Sequence, residues 1–77
     1  MYKNLVFLRN KTNKENVIST FKVEHIYTNY RTSIYENDNL RICFDKKVIR
    51  CLVFDENNKD LIENLRNYFY GKTYHNI

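Results

Sequence analysis

Proline and tryptophan are absent from the 77 residues, and Gly71 is the only glycine. One glycine cannot build the glycine-rich loops that cradle phosphates, so the common nucleotide-binding loops are excluded. Turns must then use other residues that tolerate left-handed backbone. Asparagine is the natural substitute, and it stands at Asn13, Asn16, Asn37, Asn39, Asn57 and Asn58 among others.

Cysteine and histidine are also scarce: Cys43, Cys51, His25 and His75. None has the close paired spacing that puts two ligands on one metal, so no metal and no cofactor is expected. Without a secretory signal, the two thiols are expected to be reduced and structural. The acidic stretches 36–38 and 55–56 lack the alternating oxygen ligands and the glycine of a calcium loop. They read as a turn and a helix entry. Ser19, Ser33 and the cysteines carry no signature of an activated nucleophile. One enzymatic reading survives, a small ribonuclease toxin with His25 as acid or base and Arg and Lys on the phosphate. It is a remote alternative, because no partner that would position the imidazole is visible. The chain is read as not an enzyme, with no catalytic residue.

No apolar run approaches the ~20 residues that span a bilayer. The four apolar residues Leu5–Leu8 are too few for a signal peptide, so a cytoplasmic protein without a membrane partner is expected. No block of like charge exists, although the net charge is +4 and the pI about 9.1. That balance is compatible with nucleic-acid binding and does not demand it.

Seventy-seven residues make one domain. A domain of this size buries about 60% of the surface its unfolded chain exposes. Its stability is expected at about 3–5 kcal/mol. An enclosed pocket of ~300 Å³ fits poorly in so thin a core, which favours a protein that works by its surface.

The last third is the clearest segment. Leu61, Ile62, Leu65, Tyr68 and Phe69 form one helical face, Asn57 or Asn58 can cap its start, and Gly71 can end it. A helix is predicted at about 58–70, with a frayed tail at 72–77. Before it, 40–45 and 48–54 read as a hairpin reversing on Lys46–Lys47. Phe44 then faces Ile49, Ile42 faces Cys51 and Leu40 faces Val53, which collects six apolar residues on one face. Lys–Lys suits a type I′ turn poorly, and a loop over Asp45–Val48 keeps the same register. Cys43 and Cys51 fall on opposite faces in this register, so no disulfide between them is expected. A strand at 32–36 joins through a loop at 37–39, which sets Ile34 against Ile42. A further strand is expected at about 2–9.

Residues 13–30 are ambiguous. Thr12 and Glu15 have capping-box spacing. A single helix through Tyr27, however, would set Val17, Ile18 and Phe21 opposite Val23, Ile26 and Tyr27. The β-branched content favours a strand over 17–30. The expected fold is α+β: a small antiparallel β-meander of four to five strands with one C-terminal helix on one face.

What exceeds the needs of the core is arginine and tyrosine. In this register Arg31, Tyr35, Arg41 and Arg50 share the sheet face away from the helix, with Tyr68 and Tyr70 as a second anchor. Tyr and Arg anchor protein interfaces. Arginines beside an aromatic also serve single-stranded RNA or DNA platforms, which is the alternative function. The competing account is a solvated sheet face with ordinary cross-strand pairs. A protein partner is preferred, because seven tyrosines exceed what this core can bury. By size and composition alone the chain is like the stand-alone inhibitors that phages and mobile elements direct against host systems such as CRISPR or restriction. The expected partner is a host protein or ribonucleoprotein complex. The positive charge speaks against DNA mimicry, and the oligomeric state is open.

Overall fold

The computed structural model describes residues 4–11 and 13–69, the former as backbone only. Their order is β1 (Asn4–Lys11), α1 (Lys14–Phe21), β2 (Glu24–Thr28), β3 (Thr32–Glu36), β4 (Leu40–Asp45), β5 (Val48–Phe54) and α2 (Lys59–Phe69). The strands form one five-stranded sheet in the order β1-β5-β4-β3-β2, with every neighbouring pair antiparallel. This is the expected α+β fold, with a meander from β2 to β5 and a C-terminal helix. Residues 2–3 of the expected first strand, Thr12, Tyr70, Gly71 and the tail 72–77 lie outside the described residues.

The first correction is α1. Residues 17–21, expected within a strand over 17–30, belong to a helix that begins at Lys14. Asn13 caps the helix, its side-chain oxygen accepting from the Asn16 N–H at 3.0 Å. The conflict of faces disappears because the helix stops at Lys22. That residue is left-handed, at φ 55° and ψ 49°. The Val23 N–H then donates to the Ile18 carbonyl at 3.3 Å, a Schellman closure. Val17 is buried and Ile18 and Phe21 pack on the core, so one short stripe is satisfied before the chain turns into β2.

Among the described residues, lysine and not asparagine occupies the left-handed positions, at Lys22 and Lys46. A side chain with a Cβ is disfavoured there by about 1–2 kcal/mol. Lys22→Gly should therefore raise stability by about 1 kcal/mol, read as a higher urea midpoint at unchanged slope. An unchanged or lower midpoint would contradict the left-handed cap.

The second correction is the register of β3. The turn from β3 to β4 has two residues, Asp38 and Asn39, not three. The Asn37 side-chain oxygen accepts from the backbone N–H groups of Asn39 at 2.8 Å and Leu40 at 2.9 Å. The Asn37 N–H donates to the Leu40 carbonyl at 2.9 Å. Closing the turn one residue tighter puts Tyr35 opposite Ile42 and Ile34 opposite Cys43. Tyr35 thus lies on the core side and Ile34 on the outer side. Asn37 also donates to the Phe21 carbonyl at 2.9 Å, which ties the end of α1 to this turn.

The third correction is a bulge in β5. The hairpin reverses on Lys46–Lys47, and Phe44 faces Ile49 as expected. The register then shifts, so that Cys43 faces Cys51, Ile42 faces Leu52 and Leu40 faces Phe54. One extra residue turns Leu52 and Phe54 into the core in place of Cys51 and Val53. Leucine and phenylalanine bury more apolar surface than cysteine and valine, which favours the bulged pairing.

The core is Val17, Val23, Leu40, Ile42, Phe44, Ile49, Leu52, Phe54, Leu65 and Phe69. Both helices therefore contribute to one layer on one side of the sheet. They also meet each other: the Phe21 and Phe69 rings stack at 6.2 Å, and Asn16 donates to the Tyr68 hydroxyl at 2.9 Å. The α2 helix begins where expected, with the Asn58 side chain accepting from the Leu61 N–H at 3.1 Å. No helix among the described residues is long and apolar enough to cross a membrane.

Candidate functional site

Alternation along β4 fixes what the outer face carries. Leu40, Ile42 and Phe44 are buried, so Arg41, Cys43 and Asp45 point away from the helices. Their partners by register are Glu36, Ile34 and Thr32 on β3, and Val53, Cys51 and Val48 on β5. On β2, Tyr27 pairs with Ile34 and Glu24 with Glu36. A row of apolar and thiol side chains therefore crosses four strands: Tyr27, Ile34, Cys43 and Cys51. Tyr27 is 49% exposed, and Ile34, Cys43 and Cys51 are half-buried.

Charge flanks this row. Arg41 pairs with Glu36 at 2.7 Å on one side. Asp45 holds Arg31 at 3.1 Å and Arg50 at 3.9 Å on the other. These pairs are substantially solvent-exposed, so each contributes about 0–1 kcal/mol to stability. Their larger effect is to fix arginine positions and to offset positive with negative charge.

The structure thus brings Arg31, Arg41 and Arg50 to the outer side, as the sequence suggested, but not with Tyr35 or Tyr68. Tyr35 lies on the helix side, where its ring meets Phe44 edge-on at 5.7 Å and His25 at 5.2 Å. The cause is the two-residue turn at Asp38–Asn39. Tyr68 packs against Phe21 and Phe69 between the helices, and its hydroxyl accepts from Asn16. Neither ring belongs to the arginine-bearing face.

Two constellations were not visible in the sequence. Lys14, at the start of α1, donates to the buried Ser33 hydroxyl at 3.0 Å, with its ammonium 5.2 Å from both the Tyr35 and Phe44 rings. A cation in the first helical turn opposes the helix dipole. The hydrogen bond and the two ring faces compensate, and they satisfy the hydroxyl that β3 buries. The second is the cross-strand pair Cys43 and Cys51. Both thiols are free and half-buried. The Cys51 thiol hydrogen-bonds Cys43 and holds it down to about 7; burial opposes this, and Arg41 and Arg50 add to it. The same hydrogen bond, with burial, pushes Cys51 up.

His25 is exposed and contacts the Thr28 hydroxyl and the Tyr35 ring, with no arginine or carboxylate among these contacts. Among the described residues no cluster of three or more His, Cys, Asp or Glu side chains stands close enough to hold a metal ion. The groove between α1 and α2, lined by Thr20, Phe21, Asn64, Asn67 and Tyr68, is open to solvent. Compared with protein-family models, with curated proteins and with solved structures, the chain matches none of them.

Proposed function

We propose that the protein is a binding module without enzymatic activity, and that it engages a protein partner through the outer face of its sheet. The observation that carries this reading is the row Tyr27, Ile34, Cys43 and Cys51, flanked by arginine–carboxylate pairs on the face the two helices leave uncovered. An antiparallel sheet with one wet face ordinarily alternates apolar inward with polar outward. Here the outward face keeps an apolar centre with a charged rim, which is the anatomy of a protein interface.

A protein is favoured over nucleic acid because Arg31, Arg41 and Arg50 each have a carboxylate partner. Phosphate binding gains most from uncompensated cations, and a surface of both signs suits a protein of mixed charge. Size and composition extend the proposal to a host protein or ribonucleoprotein complex as partner. They support a role as a phage or mobile-element inhibitor of a host system such as CRISPR or restriction. Single-stranded RNA or DNA is the second reading, favoured by the net charge of +4.

The test sets Ile34→Glu, in the centre of the row, against Glu63→Lys on the exposed side of α2. Each tagged protein is used to capture material from nuclease-treated host lysate. Wild type and Glu63→Lys should retain the same defined protein, and Ile34→Glu should lose at least about thirtyfold in affinity, roughly 2 kcal/mol. Equal capture by Ile34→Glu would remove this face from consideration. Loss of all captured material on nuclease treatment would favour the nucleic-acid reading.

A further inference from the structure

We propose that Cys43 and Cys51 are a redox-active cross-strand dithiol, which low-molecular-weight disulfides such as glutathione disulfide close to an intramolecular disulfide and thiols reopen. The proposal does not depend on what binds the outer face. It begins from register. The bulge in β5 sets the two residues directly opposite one another on neighbouring antiparallel strands. Directly opposed residues in such a pair have Cα atoms about 4.5 or 5.5 Å apart. Both spacings fall within the ~4.4–6.8 Å that a disulfide spans. The two residues are already paired across the strands, so closure needs no change of register.

The surroundings distinguish the pair from two inert core thiols. Both side chains are half-buried and reachable from the uncovered face. Among the residues whose side chains are described, the charged groups of that face are Arg31, Arg41 and Arg50 with Asp45, Glu36 and Glu24. Arg41 and Arg50 act directly on both sulfurs. Cationic neighbours and a thiol donor are what make a cysteine reactive near neutral pH. Either thiol of the pair can attack, and the one opposite resolves.

The exchange balances in two steps. One thiolate of the pair attacks one sulfur of the small disulfide. A mixed disulfide forms on that cysteine, the sulfur–sulfur bond of the reagent breaks, and one small thiolate leaves and takes a proton. The opposite cysteine then gives its proton to solvent and attacks the sulfur of the modified cysteine, expelling the second small thiolate, which takes a proton. Two protein thiols lose two electrons, and the small disulfide is reduced to two thiols. Both sulfurs sit in the apolar row, so the redox state alters the chemistry of the outer face.

The test incubates the intact protein with glutathione disulfide at neutral pH and then digests it with trypsin. Lys46, Lys47 and Arg50 lie between the cysteines, so cleavage leaves two peptides that only a disulfide holds together. The expected product is a monomer lighter by two hydrogens whose linked peptides separate on adding dithiothreitol. Thiols that stay free, or only mixed and intermolecular disulfides, would overturn the proposal. Cys51→Ser and Cys43→Ser should each stop at the glutathione mixed disulfide that the wild-type protein resolves. A mixed disulfide that persists equally in the wild type would overturn the proposal.

Discussion

Phe44→Ala should leave most molecules unfolded in buffer at room temperature. The ring is fully buried on β4, the middle strand of the five. It meets Tyr35 edge-on at 5.7 Å and lies beneath the Lys14 ammonium at 5.2 Å. Truncating a buried phenylalanine costs about 3–5 kcal/mol in lost transfer energy and residual cavity. A core this small supplies only about 3–5 kcal/mol in total. Losing the ring also strips Lys14 and Tyr35 of a partner, so the cost should fall at the upper end. Urea titration by circular dichroism should show no native baseline for the variant. A midpoint close to that of wild type would mean that Phe44 does not carry the core.

Leu65→Ala is the second large effect, at about 2–5 kcal/mol. Leu65 is fully buried in the middle of α2, one turn before the equally buried Phe69. Alanine is the better helix former, but that gain is a few tenths of a kcal/mol and cannot offset the cavity. The exposed neighbour Glu63 is the internal control, since Glu63→Ala should stay within about 0.5 kcal/mol of wild type. Thermal unfolding of the three proteins side by side decides it. Similar midpoints for Leu65→Ala and Glu63→Ala would show that α2 is not docked on the sheet as described.

Helix α2 was legible in the sequence because three signals agree there: an apolar stripe at helical spacing, an asparagine cap and an early carboxylate at Asp60. The position of the β4–β5 hairpin was legible from its alternation. The bulge was not, because β5 reads Val-Ile-Arg-Cys-Leu-Val-Phe, apolar on either parity after Arg50. Pattern alone offered two acceptable faces there, and bulk chose between them. The β3 register failed for a related reason. Ile34 and Tyr35 are adjacent and either suits a core, so a one-residue change in the turn exchanges them without an apolar penalty the sequence reveals.

The α1 helix was hidden by a terminator without its usual letter. A left-handed lysine at Lys22 ends the helix where glycine or asparagine would have announced the end. One member of the candidate site inherited these slips. Arg41 and Arg50 reached the outer side in either register, Arg41 by the alternation of β4 and Arg50 as the exposed residue at the bulge. Tyr35 was assigned to the wrong side with Ile34. The thiol pair was invisible because an unbulged strand separates it.

The β5 bulge underlies the core, the apolar row and the dithiol together. The most direct measurement is a nuclear Overhauser spectrum of the labelled protein, read across β4 and β5. Cross-strand contacts should join Cys43 to Cys51, Ile42 to Leu52 and Leu40 to Phe54. Contacts that instead join Ile42 to Cys51 and Leu40 to Val53 would contradict the bulge, place the cysteines on opposite faces and withdraw both proposals with it.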